Sequence, residues 1–160
     1  QRIITVEETF ELAVDGPDVV ALQGRQPSLE GTGEITLRRL VKEALRMRPD
    51  RLVVGEVRGA EALDLIKAWG TGHPGGIGTI HAGTGIGALR RLEQLIQEAV
   101  VTVPRALIAE TIDLVAVLSG RGSARRLAEL ARVEGLGPDG DYRITHPIPS
   151  AIPTSTGESS

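Results

Sequence analysis

Short apolar runs alternate with longer amphipathic segments along this chain. A short apolar run bounded by Gly, Pro or charged residues is typical of a strand, and one without polar alternation is typical of a parallel strand covered on both faces. The pattern predicts strands at residues 2–6, 19–22, 52–54, 77–82 and 113–118. We expect the strand at 19–22 to lie at an edge of the sheet and the last three strands to be buried.

Between these runs, apolar residues recur at helical spacing. The spacing predicts helices over residues 37–45, 60–69, 86–99 and 104–112. We expect Thr36 to cap the first helix, Pro49 to stop it, and Gly70 to cap the second in the left-handed conformation. Strands that alternate with helices predict an α/β fold, with a mostly parallel sheet and flanking helices.

The carboxyl-terminal part follows a different pattern. Gly-Pro-Asp-Gly at 137–140 is a strong turn signal, residues 142–145 are β-like, and residues 125–134 have mixed periodicity. This predicts a terminal antiparallel hairpin. Residues 146–160 contain three prolines and mostly small polar side chains, so we expect a folded domain over 1–145 and a disordered tail over 146–160.

Composition narrows the possible classes of protein. The 160 residues are 41% hydrophobic, which is enough for the core of one domain, but only Phe10, Trp69 and Tyr142 are aromatic. Stacking surfaces for single-stranded nucleic acid are therefore scarce. The net charge is −3, and we interpret the pairs Arg38-Arg39 and Arg90-Arg91 as solvated helix faces. We expect no direct sequence-specific binding of nucleic acid.

Several chemistries lack the residues they need. The sequence has no cysteine for disulfides or thiolate metal sites, which agrees with a reducing compartment, and no histidine spacing that favours zinc. We expect no signal peptide, and no apolar run in the sequence approaches the roughly 18 residues that span a bilayer.

Charged side chains follow three of the predicted strands. Glu7 and Glu8 follow the strand at 2–6, and Glu56 and Arg58 follow the strand at 52–54. His81 lies near the end of the strand at 77–82. Carboxyl ends of parallel strands meet at one edge of a sheet, where open α/β sheets bind ligands. Together these residues predict a site for a hydrated Mg²⁺ and a terminal phosphate. Singly, the glutamate pair is a solvated turn and His81 a satisfied core residue.

Other candidates have simpler interpretations. Arg46 and Arg48, at the end of the first helix, either complement its dipole or face a phosphate. His73 lies in a turn, where loop polarity is sufficient explanation. Residues 70–75 match G-x-G-x-x-G, but they follow a helix and open a strand, the reverse of the dinucleotide fingerprint. We interpret these glycines, together with Gly76 and Gly78, as sites of left-handed turns and close backbone approach.

Three ordered motifs resemble the secretion ATPase superfamily, the motors of type II and type IV secretion and of type IV pili. Residues 2–9 resemble its Asp box, 52–58 its Walker B motif and 71–82 its His box. The resemblance is closest to conjugative-transfer ATPases of the TrbB type, through residues 67–76 and 104–135. Residues 25–31 and 33–36 resemble the Tad pilus ATPases instead.

The resemblance implies a RecA-like P-loop NTPase core, preceded by a separate amino-terminal domain. It further implies a homohexamer that binds ATP and Mg²⁺ at subunit boundaries and works in the cytoplasm, peripherally at the bacterial inner membrane, with secretion or pilus machinery. Carried over by position, the catalytic residues are Glu56, Glu8 and His81, of which Glu56 and Glu8 support the metal, possibly through water. The implied nucleotide contacts are Glu7, Arg58, Thr79, His73, Arg46 and Arg48.

The sequence departs from the family pattern in three places. Gly55 stands where other Walker B strands have an acid, and Glu8 stands where the family has aspartate. No G-x-x-x-x-G-K-[ST] phosphate loop occurs. In the family this loop precedes the Asp box, so we expect the chain to be part of a longer protein. The alternatives are a Tad or type IV pilus ATPase, a type II secretion ATPase and, for this polypeptide alone, a non-catalytic oligomerisation module.

Overall fold

A four-stranded parallel sheet forms the centre of the computed structural model, which describes residues 1–72 and 75–147. Its strands are β1 (Ile3–Glu7), β2 (Val19–Gln23), β3 (Arg51–Val54) and β4 (Ile77–Gly78). They lie in the order β2-β1-β3-β4, and every pair is parallel. The α/β class, the parallel sheet and the edge position of the second strand are confirmed.

Four helices flank the sheets: α1 (Leu37–Arg46), α2 (Glu61–Gly70), α3 (Gly85–Gln97) and α4 (Arg105–Thr111). The hydroxyl of Thr36 accepts from the Arg39 amide at 3.2 Å and so caps α1 as predicted. The prediction for Gly70 was wrong. Gly70 is the last residue of α2, and the left-handed turn comes at Gly72, with φ of 114°.

The core lies between the parallel sheet and the helices and contains hardly any aromatic side chain. Its largest fully buried members are aliphatic: Ile4, Leu52, Leu65, Ile66, Leu89, Leu95, Ile96, Ile108, Val6, Val41 and Val54. Burial of each such side chain contributes about 1.5–3 kcal/mol. Because Leu52 and Val54 of β3 and Ile4 and Val6 of β1 are all in this set, burial fixes how both strands face the helices.

A second sheet is antiparallel and follows α4 in the chain. It consists of β5 (Leu114–Ser119), β6 (Arg126–Leu136) and β7 (Tyr142–Thr145), in that order. The predicted hairpin is confirmed as β6 and β7, joined by a turn in which the Gly140 amide donates to the Gly137 carbonyl at 2.9 Å.

Two strands predicted to be buried are exposed instead. The fourth strand is only two residues long, and Ile77 is 62% exposed. In β5, Leu114 and Leu118 are 56% and 60% exposed, whereas Val117 is buried. Both strands are edges of different sheets, so within the described residues neither has a neighbour on its outer side. An apolar run therefore did not imply cover on both faces.

The end of β7 is attached to the start of α3. His146 Nε2 lies 2.9 Å from Glu129 Oε1, and Glu129 Oε2 accepts from the Gly85 amide at 2.8 Å. Burial opposes ionisation of Glu129, but the Gly85 amide and His146 favour it, so its pKa is lowered. His146 and Pro147 are described, whereas residues 148–160, the rest of the predicted tail, lie outside the described residues, as does His73.

Trp69 packs onto the start of β4 because two glycines leave room for its ring. Its indole nitrogen donates to the Leu52 carbonyl at 3.2 Å. A Cβ at Gly76 would lie 1.8 Å from that nitrogen, and one at Gly78 would lie 3.1 Å from the ring. These are the close approaches that the glycine-rich segment predicted.

We predict that Gly76→Ala displaces the indole and breaks its bond to Leu52. The free energy of unfolding should fall by about 1–3 kcal/mol, the usual cost of overpacking. Trp69 is the sole tryptophan, so its fluorescence during urea unfolding reports both the displacement and the stability. Gly83→Ala is the matched control, since a Cβ there meets nothing within 4 Å. Equal emission spectra and unfolding midpoints for the two variants would contradict the packing described.

Candidate functional site

The carboxyl ends of β1, β3 and β4 lie side by side. The register pairs Val6 with Val54 and Val54 with Gly78, so the residues that follow these pairs emerge along one edge of the sheet. His81 Nδ1 lies 3.2 Å from Glu56 Oε1. The His81 side chain is 91% exposed, so it is no core histidine. The structure thus brings together Glu8, Glu56 and His81, whose catalytic roles stay predictions.

Arg58 connects the two glutamates. One guanidinium nitrogen bonds to Glu56, and the other lies 3.2 Å from Glu8 Oε2. The hydrogen bond from Arg58 lowers the pKa of Glu56; partial burial opposes this, and the charges of Arg58 and His81 add to it. Glu56 is therefore held as a carboxylate, with its charge shared between a cation and an imidazole.

Glu7 points into the protein and is only 3% exposed. Its Oε1 accepts from the amides of Glu11 and Leu12, both at 2.9 Å, whereas its Oε2 is buried and has no hydrogen-bond partner among the described residues. A Cβ at Gly55 would lie 3.0 Å from Glu7 Cγ. Gly55 therefore leaves the space that the Glu7 side chain of the neighbouring strand fills.

Two side chains hold the backbone around Glu56. The Thr79 hydroxyl donates to the Gly55 carbonyl, and the Thr79 carbonyl accepts from the Val57 amide at 2.9 Å. The buried carboxylate of Glu61 accepts from the amides of Arg58 at 2.7 Å and Gly59 at 2.9 Å. Sequence reasoning missed Glu61, although a glutamate in the first turn of a helix is a recognised binder of preceding amides.

A cavity of about 310 Å³ opens beside this cluster, lined by Glu56, Val57, Arg58, His81 and Arg91. Our sequence interpretation placed Arg91 on a solvated helix face and so missed it. The available signal was its position, since α3 begins soon after His81 and Arg91 falls in its second turn. Two arginines, one carboxylate and one imidazole therefore line the same cavity.

Arg46 and Arg48 lie elsewhere. Both are at the carboxyl end of α1, which leads into the amino end of β3, so they lie toward the opposite edge of the sheet from Glu56. Arg46 pairs with Glu43 at 3.4 Å on the exposed helix surface, and Arg48 adopts a left-handed φ of 53° before Pro49. The structure does not bring these two arginines to the cluster.

The donors present fit a metal ion that keeps most of its water. Among the residues that the structure describes, no three carboxylate or imidazole side chains are grouped to hold a metal. Glu56 and Glu8 share the guanidinium of Arg58, and the Glu7 side chain lies beside Gly55. Mg²⁺ is commonly held by one or two carboxylates together with substrate phosphates and waters, which is what this set offers.

An open parallel sheet that gathers carboxylates, arginines and a histidine at its strand ends defines an α/β protein with a candidate ligand site at those ends. The chain belongs to the type II/IV secretion system protein family, whose model matches residues 1–130. Within the described residues, no helix is long and apolar enough to cross a membrane.

Relatives of the chain include secretion and conjugation proteins. It is 42% identical to the conjugal transfer protein TrbB of Rhizobium radiobacter, over 91% of this chain and 41% of that protein. It is 35% identical to the type IV secretion system protein PtlH of Bordetella pertussis, over 85% of this chain and 43% of that protein.

Among solved structures, it resembles the VirB11 ATPase of the Brucella suis type IV secretion system, solved in complex with sulphate. The TM-score is 0.71 at 30% identity, over 82% of this chain and 40% of that one. The chain spans about two fifths of the length of these relatives.

We predict that Arg58→Ala raises the pKa of Glu56 toward its ordinary value of 4.5, because the bond that lowers it is removed. A ¹³C NMR titration of the glutamate carboxyl groups measures this directly. In the unmodified chain, the Arg58–Glu56 ion pair stabilises the fold at pH values above the ordinary pKa of Glu56. This stabilisation is lost as the pH falls through the lowered pKa of Glu56 in the folded chain.

The control for this titration is Arg46→Ala, which removes the same charge from the Glu43 pair and should leave Glu56 unchanged. A Glu56 titration that is the same with and without Arg58 would show that the two side chains do not pair in solution.

Proposed function

We propose that the chain is part of an ATP-hydrolysing motor that powers type IV secretion, including conjugative transfer. The observation that carries the proposal is the contact of Glu56 with His81 and Arg58 at the strand ends, beside a cavity lined by a second arginine. The secretion relatives and the fold shared with the VirB11 ATPase support it.

In this proposal, Glu56 orients the attacking water. A glutamate is ionised near neutral pH, and the lowered pKa of Glu56 makes it a weaker base, so it is available to accept a hydrogen bond from water. A carboxylate of low basicity is a poor proton acceptor but a good orienting group, and phosphoryl transfer depends chiefly on positioning and on stabilisation of charge.

The remaining side chains act on the phosphate and its metal. Bound Mg²⁺ would neutralise phosphate charge, with Glu8 and Glu56 holding its waters and Glu7 completing the acidic wall. His81, exposed at the cavity, donates to the terminal phosphate. Arg58 and Arg91 stabilise the charge that develops there. Thr79 supports the Glu56 backbone, and contacts of Arg46, Arg48 and His73 with nucleotide stay predictions.

Arg58 has two uses in this arrangement. Without nucleotide it neutralises Glu56 and Glu8, which would otherwise repel each other across the strand ends. The Arg58 side chain is more than half exposed, so it is free to turn toward a phosphate. Glu8 and Glu56 would then be available to hold the waters of a bound Mg²⁺.

The proposed assembly is a homohexamer with ATP at its subunit boundaries, peripheral to the cytoplasmic face of the inner membrane and in contact with the secretion machinery. The family includes type II as well as type IV systems, so a type II or pilus motor is the alternative. The relatives named above favour type IV secretion.

We predict that Glu56→Gln, in the proposed full-length motor, lowers ATP turnover by about 10²-fold or more while leaving ATP affinity nearly unchanged, because the orienting carboxylate is lost but its volume is kept. Steady-state phosphate release and equilibrium nucleotide binding measure the two quantities. Glu43→Gln, on the distant exposed face of α1, is the control and should match the unmodified protein. Undiminished turnover in the Glu56 variant would remove Glu56 from catalysis.

A second prediction concerns the 160-residue chain alone. Because its sequence has no G-x-x-x-x-G-K-[ST] loop to cradle phosphates, we predict neither ATP hydrolysis nor micromolar binding of Mg-ATP by this polypeptide. Isothermal titration calorimetry with Mg-ATP measures the binding. Micromolar affinity would contradict the role of a non-catalytic module for the isolated chain.

A further inference from the structure

Residues 25–35 form an ordered arm to which the proposed function assigns no role. The amides of Arg25 and Ile35 each donate to the carbonyl of the other, at 3.0 and 2.8 Å, and so close the base of the arm. The Arg25 side chain extends along the arm, and its Nε donates to the Gly33 carbonyl at 2.6 Å. Hydrogen bonds therefore connect the two sides of the arm between its base and its tip.

The tip of the arm presents an apolar side chain to solvent. The Ser28 amide donates to the Thr32 carbonyl and the Gly31 amide donates to the Ser28 carbonyl, both at 2.8 Å, which forms a tight turn. Leu29 lies in this turn and is fully exposed. The next residue, Glu30, is exposed and has no ion pair among the described residues. Because the turn is already ordered, binding of Leu29 by a partner costs little further conformational entropy.

The exposed side of α1 carries the opposite charge. Arg39, Lys42 and Arg46 recur at helical spacing, so they form a basic stripe along the helix. Within the described part of the chain, Lys42 pairs with Asp64 at 3.7 Å and Arg46 with Glu43 at 3.4 Å, but the Arg39 side chain has no ion pair. A cation in the first turn of a helix is unfavourable for the helix dipole. The stability of α1 therefore does not account for Arg39.

We propose that the arm of one copy docks on α1 of an adjacent copy, with Leu29 packed against the helix and Glu30 paired with Arg39. The inference rests on the homohexamer of the proposed function and names two surfaces that join its subunits. These surfaces differ from each other, and contacts between unlike surfaces are the type that closes a ring of more than two subunits.

The chemistry of the two surfaces selects a second copy over other occupants. Every copy carries both the acidic tip and the basic stripe, and within one copy Glu30 and Arg39 do not pair. Leu40 and Leu45 are partly buried on α1 and offer apolar contact to Leu29. An anionic lipid surface or a nucleic acid would be repelled by the carboxylate of Glu30.

The base of the arm lies beside the strand-end cluster. The Gly24 amide, next to the arm, donates to the Glu7 carbonyl at 2.8 Å. A cavity of about 240 Å³ is lined by Glu34 of the arm together with Glu8 and Arg58. Docking of the tip on a neighbouring copy would therefore also restrain the side of the site that carries Glu8.

Site-specific photo-cross-linking tests the proposal. The 160 residues contain no cysteine, so Leu29→Cys in the proposed full-length protein, with any cysteine outside this region replaced, accepts a single benzophenone maleimide. On irradiation without nucleotide, we expect a covalent dimer in which position 29 is linked to a peptide of α1. Val101→Cys is the matched control, because Val101 is also fully exposed but lies between α3 and α4, and it should give no link to α1.

The outcomes separate this inference from the proposed function. A protein that forms rings but links position 29 to another segment, or to none, would overturn the inference alone. A link to α1 within a single polypeptide, which has the mass of the monomer, would also overturn it. A protein that stays monomeric at every concentration would overturn both the docking contact and the proposed ring.

Charge reversal provides an independent test of the contact. Glu30→Lys and Arg39→Glu should each weaken assembly of the full-length protein by at least about tenfold in sedimentation velocity, because each places like charges across the contact. The double variant restores opposite charges and should recover most of the loss. Glu110→Lys, on the exposed surface of α4, is the control and should assemble like the unmodified protein. A double variant that is no better than the single variants would contradict the pairing.

Discussion

The parallel register of β1, β3 and β4 is the constraint on which the site depends. Ile4 and Val6 pack beside Leu52 and Val54, and all four are almost completely buried, so a slip of one residue would turn an apolar face out of the core. Burial thus fixes where each strand ends. It forces the charged residues that follow the strands into one neighbourhood, where Arg58 and His81 offset the negative charge of Glu8 and Glu56.

Acidic side chains follow two neighbouring strands at the site. Glu56 follows β3, and the absence of a Cβ at Gly55 leaves space for the Glu7 side chain of β1. Glu7 is bound through one oxygen to the backbone that follows β1, and its other oxygen stays unpartnered within the described residues. The carboxylates near the strand ends therefore come from both β1 and β3, but Glu7 is buried, whereas Glu8 and Glu56 pair with Arg58.

Local sequence patterns correctly predicted the structural elements that depend only on neighbouring residues. Thr36 capped α1, and the Gly-Pro-Asp-Gly turn produced the hairpin, because capping and turn formation depend on neighbouring residues. The exposure of β4 and β5 was mispredicted, since an apolar run does not reveal whether a neighbouring strand is present. Arg91 was missed for a related reason, because the fold brings it beside Glu56. The contacts of Glu61 with the amides of Arg58 and Gly59 are local and were overlooked.

The attachment of β7 to α3 through His146 and Glu129 has a mechanical consequence. The Gly85 amide opens the helix that follows His81, and its acceptor is a carboxylate on β6. These two hydrogen bonds therefore tie the antiparallel sheet to the first turn of α3. Because Arg91 lies on the same helix, any displacement of that sheet relative to the parallel sheet would also change the distance of Arg91 from Glu56.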